Sequence, residues 1–148
     1  MTFLLDANLL IYAAMPSMRE HDAARRWLLA AFADRDGFVG VSWTSLYAFV
    51  RIVSNRRIMG DDAVELARAW LAADAYRLQP NAVIVEPGPA HAALAGELVS
   101  TPGLVANDLP DVYLAALAIE RGLTLATHDH GFGRFRGLRW TDPLVAAP

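Results

Sequence analysis

The sequence predicts an α/β fold of three layers, with helices on both faces of a central, mainly parallel sheet. Short apolar runs alternate with longer stretches of helical periodicity, the pattern of parallel strands joined by crossover helices. One such stretch, NDLPDVYLAALAIERG, is apolar nearly all round and is therefore central rather than peripheral. A chain of 148 residues, 55% of them hydrophobic, supports one sizeable core and leaves no room for a second, so residues 1–148 read as a single domain.

The elements follow in order. Residues 2–5 form a short apolar run ending at Asp6, and residues 7–15 continue with helical spacing, so the chain opens strand, acid, helix. Residues 19–32 place Ala23, Trp27, Leu28 and Ala31 on one stripe, an amphipathic helix closed by the polar turn at 34–37. Residues 38–41 form the next strand. Ser42 or Thr44 caps a helix running to about Asn55, residues 56–60 read as a loop, and residues 61–75 as a second capped helix. Residues 82–85 read as a buried strand, 87–89 as a turn, 90–100 as a helix and 101–106 as a Pro/Gly loop. The central helix then leads into a strand at 123–127 and the sequence HDHGF. In such sheets ligands bind beyond the carboxyl ends of the strands. Asp6 and Asp129 both follow strands and belong on that edge.

Composition removes several chemistries. The 13 cationic residues are all arginine, and the absence of lysine excludes a Walker phosphate loop, Schiff-base catalysis, receiver domains and the aspartate-nucleophile phosphatases. Zero cysteines exclude disulfides, thiolate nucleophiles, cysteine-ligated zinc and iron–sulfur clusters. With a net charge of -3, a nucleic acid must be met by local basic patches rather than a whole-molecule field. No run approaches the roughly 18 apolar residues of a membrane span. The greasy opening MTFLLDANLLIYAAM is interrupted by Asp6 and preceded by no positive charge, unlike a signal peptide. A soluble, cytoplasmic protein is expected, with no membrane partner.

Four acids stand out, and each has an ordinary reading. Asp6 can cap the helix beginning at Ala7. Asp108 and Asp111, flanking Pro110, fit an N-cap and N3 pair. Asp129 can be a turn acid. Their joint placement points to chemistry instead, because Asp6, Asp111 and Asp129 fall at strand ends or on the first turn of the central helix, far apart in sequence yet converging on one edge. Converging carboxylates repel one another and burial raises the cost of their charge, which a divalent cation relieves. Oxygen donors without cysteine favour Mg²⁺ or Mn²⁺, and such a site supports in-line attack of water on a phosphodiester.

LLDANLLIY at the start, NDLPDVYLAALAIERG, and LATHDHGFGRFRGLRWTDPL near the end together resemble the PIN-domain ribonucleases, specifically the VapC-type toxins of bacterial toxin–antitoxin pairs. The resemblance spans essentially the whole chain and rests on the order and spacing of the motifs and on the closing F-x-R-F-x-G-L-R-W pattern. It implies a PIN-like α/β/α fold and a Mg²⁺- or Mn²⁺-dependent endoribonuclease in which Asp6, Asp111 and Asp129 are the metal-binding and catalytic acids. Asp108 matches a recurring acid with a lesser ligand or water-positioning role, and Asn8 and Thr127 match polar residues beside the acids. RNA as substrate, a VapB-type antitoxin whose C-terminal segment occupies the groove and offers an arginine, and a homodimer formed through apolar helical surfaces are implied in the same way. The sequence departs from the family at Ala48, where a glutamate is usual in the helix after the second strand. Two alternatives therefore remain open: a catalytically weak module that binds RNA or antitoxin, and a PIN nuclease of RNA processing without an antitoxin.

The remaining polar residues read more plainly. In an extended segment His128 and His130 point to one side and Asp129 to the other, so the three do not share one ion, and solvated loop histidines are expected. His21 and His91 fall on expected exposed helix faces. Arg56 and Arg57, together with Arg134, Arg136 and Arg139 near the acid edge, suit RNA phosphates through their planar forks of donors, or are solvated surface residues. Arg51 is expected to pair with an acid or a partner. The tryptophans at 27, 43, 70 and 140 read as core or interface.

Overall fold

The computed structural model describes residues 1–145. Its strands are β1 (Phe3–Leu5), β2 (Val39–Val41), β3 (Ala82–Ile84), β4 (Thr124–Ala126) and β5 (Trp140–Thr141). They form one sheet in the spatial order β3-β2-β1-β4-β5, and every pairing is parallel. The helices are α1 (Ala7–Ala14), α2 (His21–Ala33), α3 (Trp43–Val53), α4 (Arg56–Met59), α5 (Leu66–Arg77), α6 (His91–Leu98) and α7 (Leu109–Arg121).

Strand alternation sorts the apolar residues into two cores. Leu5, Val41 and Ala126 face a cluster with Leu10 of α1, Leu28 of α2, Phe49 of α3 and Ala73 of α5. Their neighbours Leu4 and Leu125 face the opposite cluster, with Leu98 of α6, residues 114–118 of α7, Phe132 and Phe135. Period-two alternation is what lets one short strand serve both layers. The expected three layers are present, and α7 is the central helix, with Ala115 to Ala118 fully buried. It ends at Gly122, whose φ of 65° is a left-handed cap that a side chain would strain.

Three local expectations are corrected. Residues 56–60 are not a loop: the Asn55 side chain accepts a hydrogen bond from Arg57 N–H at 2.9 Å and starts the short helix α4, which Gly60 ends. The following helix begins at Leu66 rather than residue 61, because Val64 N–H bonds to the Val53 carbonyl at 2.8 Å and draws the intervening chain onto the end of α3. β3 is an edge strand rather than a buried one, and Val83 is 46% exposed. Between the two possible caps of α3 it is Ser42 that acts, accepting from Ser45 N–H at 3.1 Å.

The chain runs outward from β1 to β2 and β3, then returns to place β4 on the other side of β1. That reversal makes a topological switch at the carboxyl ends of β1 and β4, where an open parallel sheet leaves a crevice. Because α7 precedes β4 and runs against it, the N-terminus of α7 lies at the same edge.

Candidate active site

β1 delivers Asp6, β4 delivers Thr127 and Asp129, and the first turn of α7 delivers Asp111. Thr127 ties these segments together. Its fully buried hydroxyl donates to Asp6 Oδ2 at 2.7 Å and accepts from Asn8 Nδ2 at 3.1 Å and from Asp129 N–H at 3.0 Å. One donor and two acceptor positions are thus all used. The polar companions named by the motifs, Asn8 and Thr127, are joined to each other as well as to the acid.

The capping readings fail for two acids. The Asp6 side chain makes no capping bond to α1, being turned instead to Thr127. Asp108 occupies the N-cap position of α7 without capping it; its Oδ2 accepts from Val105 N–H at 2.8 Å. The turn reading of Asp129 holds in part, since its Oδ1 accepts from Gly131 N–H at 2.8 Å.

Asp111 feels the charges of Asp6 and Asp129, although among the described residues the three carboxylates do not all bring an oxygen within 4.8 Å of one another. Burial pushes the Asp6 carboxyl up, against the lowering effect of the Thr127 hydroxyl, and the Asp129 charge adds to the rise. Asp111 is pushed up to about 6, first by burial, then by the charges of Asp6 and Asp129. Asp108 goes the other way, held below the usual range by the Val105 N–H and by Arg134. One Arg134 amino group lies 3.2 Å from Asp108 Oδ1 and 3.1 Å from Asp111 Oδ2, a positive charge at the mouth of the acidic crevice.

The other expected cations do not gather there. Arg139 donates to the Gly122 carbonyl at the opposite, amino-terminal end of β4. Arg136 lines a separate depression with Leu94, Leu98 and Ile119. Arg51, Arg56 and Arg57 border a groove of about 1090 Å³ with Tyr47, Leu66, Trp70 and Leu71. Among the described residues Arg51 pairs with no acid, while Arg56 lies 3.6 Å from Asp61. Trp43 and Trp70 are 39% and 40% exposed, so neither is core. No carboxylate comes from α3: Ala48 is packed against the first core cluster.

The histidines are corrected too. His128 and His130 do point to one side, as alternation requires, but they are not simply solvated, because both meet Asp142. Sequence reasoning missed Asp142 together with the two-residue strand β5 that precedes it. His21 is partly buried with Nδ1 2.9 Å from the Tyr12 carbonyl, and His91 is packed against Tyr113 and Glu120.

Comparison with known proteins gives the family. The PIN domain family matches residues 3–138. The chain is 36% identical over 145 residues to Ribonuclease VapC37 of Mycobacterium tuberculosis, covering 95% of this chain and 96% of the relative. It is 39% identical over 140 residues to Ribonuclease VapC43 of the same organism, covering 95% and 94%. Among solved structures it is similar in fold to VapBC2 from Rickettsia felis bound to a DNA fragment from their promoter, with a TM-score of 0.69, 20% identity, and 95% and 98% of the two chains covered. VapBC-1 from nontypeable Haemophilus influenzae gives a TM-score of 0.67 at 17% identity, covering 97% and 98%. The chain belongs to the PIN domain family, and its relatives of 36–39% identity are named VapC ribonucleases.

Proposed function

We propose that this protein is a Mg²⁺- or Mn²⁺-dependent endoribonuclease and the toxin of a type II toxin–antitoxin pair, acting in the cytoplasm. One observation carries the reading. Asp6, Asp111 and Asp129, from three segments, stand at one edge of the sheet, where Asp111 is pushed up to about 6 first by burial and then by the charges of Asp6 and Asp129. Arg134 offsets part of this charge in the metal-free chain, and the donors are all hard oxygens that suit a divalent cation. The residues therefore fit a hard divalent ion, with Asp6, Asp111 and Asp129 as its protein ligands.

When bound, the ion lowers the pKa of an attacking water and neutralises charge developing on a phosphodiester. The chain's own groups do the rest. Thr127 fixes the Asp6 carboxylate through its hydroxyl, and Asn8 fixes Thr127. Arg134, beside Asp111 and Asp108, would offer its planar fork of donors to a phosphate oxygen of RNA. Asp108 also bonds to Arg134 and so holds it beside the crevice, next to its lesser ligand or water-positioning role. Loss of the 3′ oxygen as leaving group gives 5′-phosphate and 3′-hydroxyl ends.

Partners are supported by surface chemistry and by the relatives. Tyr47, Leu66 and Leu71 are 60%, 64% and 67% exposed on α3 and α5, an apolar helical surface suited to a homodimer. Solved proteins of similar fold are VapBC complexes, which supports a VapB-type antitoxin as second partner.

The test is incubation of total RNA with purified, partner-free protein in Mg²⁺, Mn²⁺ or EDTA. Cleavage in either metal and none in EDTA is expected. Intact RNA in both metals, from protein that melts cooperatively, would overturn the reading in favour of a binding module.

A further inference from the structure

On the far side of the segment that carries Asp129 lies a second group of ligand-type side chains. His128 Nδ1 is 2.8 Å from Asp142 Oδ2, and His130 Nε2 is 2.7 Å from the same oxygen. The three ligand atoms lie within 4.8 Å of one another. The Asp142 side chain is only 6% exposed, while His128 and His130 are 29% and 63% exposed, so the group is anchored at its base and open at its rim.

Its construction is rigid. β4 and β5 are in register at Ala126 and Thr141, and Thr127 N–H bonds to the Thr141 carbonyl at 3.0 Å, which sets Asp142 beside His128. Asp142 Oδ1 is held by Leu144 N–H at 3.0 Å, leaving Oδ2 for the two rings. The His128 ring meets Tyr12 edge-on at 5.8 Å, and the His130 ring lies 5.4 Å from Trp140. No arginine reaches Asp142 among the described residues. Among the described residues this nearly buried carboxylate thus has a backbone N–H at one oxygen and two imidazoles crowding the other.

The geometry points to a transition-metal site, formed by His128 Nδ1, His130 Nε2 and a carboxylate oxygen of Asp142, that takes Zn²⁺ or a similar borderline dication with a fourth position open to water. Two imidazole nitrogens and one carboxylate suit Zn²⁺ or Co²⁺, whereas Mg²⁺ prefers the all-oxygen group of Asp6, Asp111 and Asp129. Metal ligation is proton-balanced. A neutral ring moves its proton from the ligating nitrogen to the far one, and a protonated ring releases one proton to solvent. The bound ion would clip the 128–130 segment to the chain just after β5, and so hold in place the backbone that presents Asp129. The site stands independently of the nuclease reading, because none of its three ligands belongs to the acidic crevice.

The test is titration with Co²⁺ in the presence of saturating Mg²⁺, followed by its visible absorption and by the melting temperature, for the full chain and for His130→Ala, Asp142→Asn and Asp111→Asn. The expected result is one equivalent of Co²⁺ with an intense, low-coordinate spectrum, displaced by Zn²⁺, kept in Asp111→Asn and weakened at least tenfold in His130→Ala. His130 is exposed, so that variant separates loss of a ligand from loss of the fold even where Asp142→Asn melts early. No Co²⁺ uptake under these conditions, or uptake unchanged in His130→Ala and lost in Asp111→Asn, would overturn the proposal.

Discussion

Asp111 shows how much of the site is written in single residues. Its carboxyl sits at about 6 in the folded chain against 3.8 ordinarily. The folded, metal-free protein therefore holds this proton more tightly than the unfolded chain does. The associated stability is fully present below pH 3.8 and is lost as pH rises through about 6. Asp111→Asn should raise metal-free stability at pH 7 by roughly 1 kcal/mol once solvent screening of this partly exposed group is allowed for. That is a rise of about 2–4 °C in melting temperature, vanishing near pH 4. Equal melting of variant and parent at both pH values in EDTA contradicts the convergence of the acids. Thr127→Val should leave Asn8 Nδ2 and Asp129 N–H without their acceptor and cost about 1–3 kcal/mol. RNA cleavage should fall with it, and Thr127→Ser should restore both, as read by melting and by gel assay. The places of Asp6, Asp111 and Asp129 on the fold were legible because each stands where a strand or helix pattern begins or ends. Asp142 was not, because what puts it beside His128 is the pairing of β4 with β5, which no local pattern records. Arg139 was misplaced for the same reason: the turn before β5 carries it to the amino-terminal edge of the sheet.

At the scale of elements, local signals succeed where the side chain that makes the structure is itself in the pattern. Ser42 begins α3 by capping Ser45 N–H, and its hydroxyl also donates to Ser45 Oγ at 3.0 Å. Ser42→Ala should cost about 1 kcal/mol of stability, measurable by urea unfolding with an unchanged slope. A variant as stable as the parent would mean that the cap is dispensable to α3. Local signals fail where tertiary pairing decides. The delayed start of α5 comes from Val64 bonding across to Val53, and the exposure of β3 comes from its place at the edge of the sheet. Neither fact is visible in the residues of the element itself. The two prolines and glycine at 87–89 did announce their turn, and there Glu120 of α7 accepts from Gly88 and Ala90 N–H at 2.9 and 3.0 Å.

The whole molecule explains how a short chain brings three acids to one edge of its sheet. Leu4 and Leu5 serve opposite cores, so β1 is locked from both sides, and Asp6 follows it directly. The alternation of strand and helix was enough to predict three layers with the acids on one edge. The order β3-β2-β1-β4-β5, which creates the crevice between β1 and β4, is set by long-range packing and was not readable. In the proposed function this crevice binds one divalent ion through Asp6, Asp111 and Asp129 and cuts RNA only with it. The most direct measurement is Mn²⁺ affinity by calorimetry and RNA cleavage by gel, on the same preparations of the parent chain and of Asp6→Asn, Asp111→Asn and Asp129→Asn. Affinity and cleavage are expected to fall together, each at least tenfold, in all three. Cleavage at the parent's rate in variants that no longer bind Mn²⁺ would contradict the proposed function.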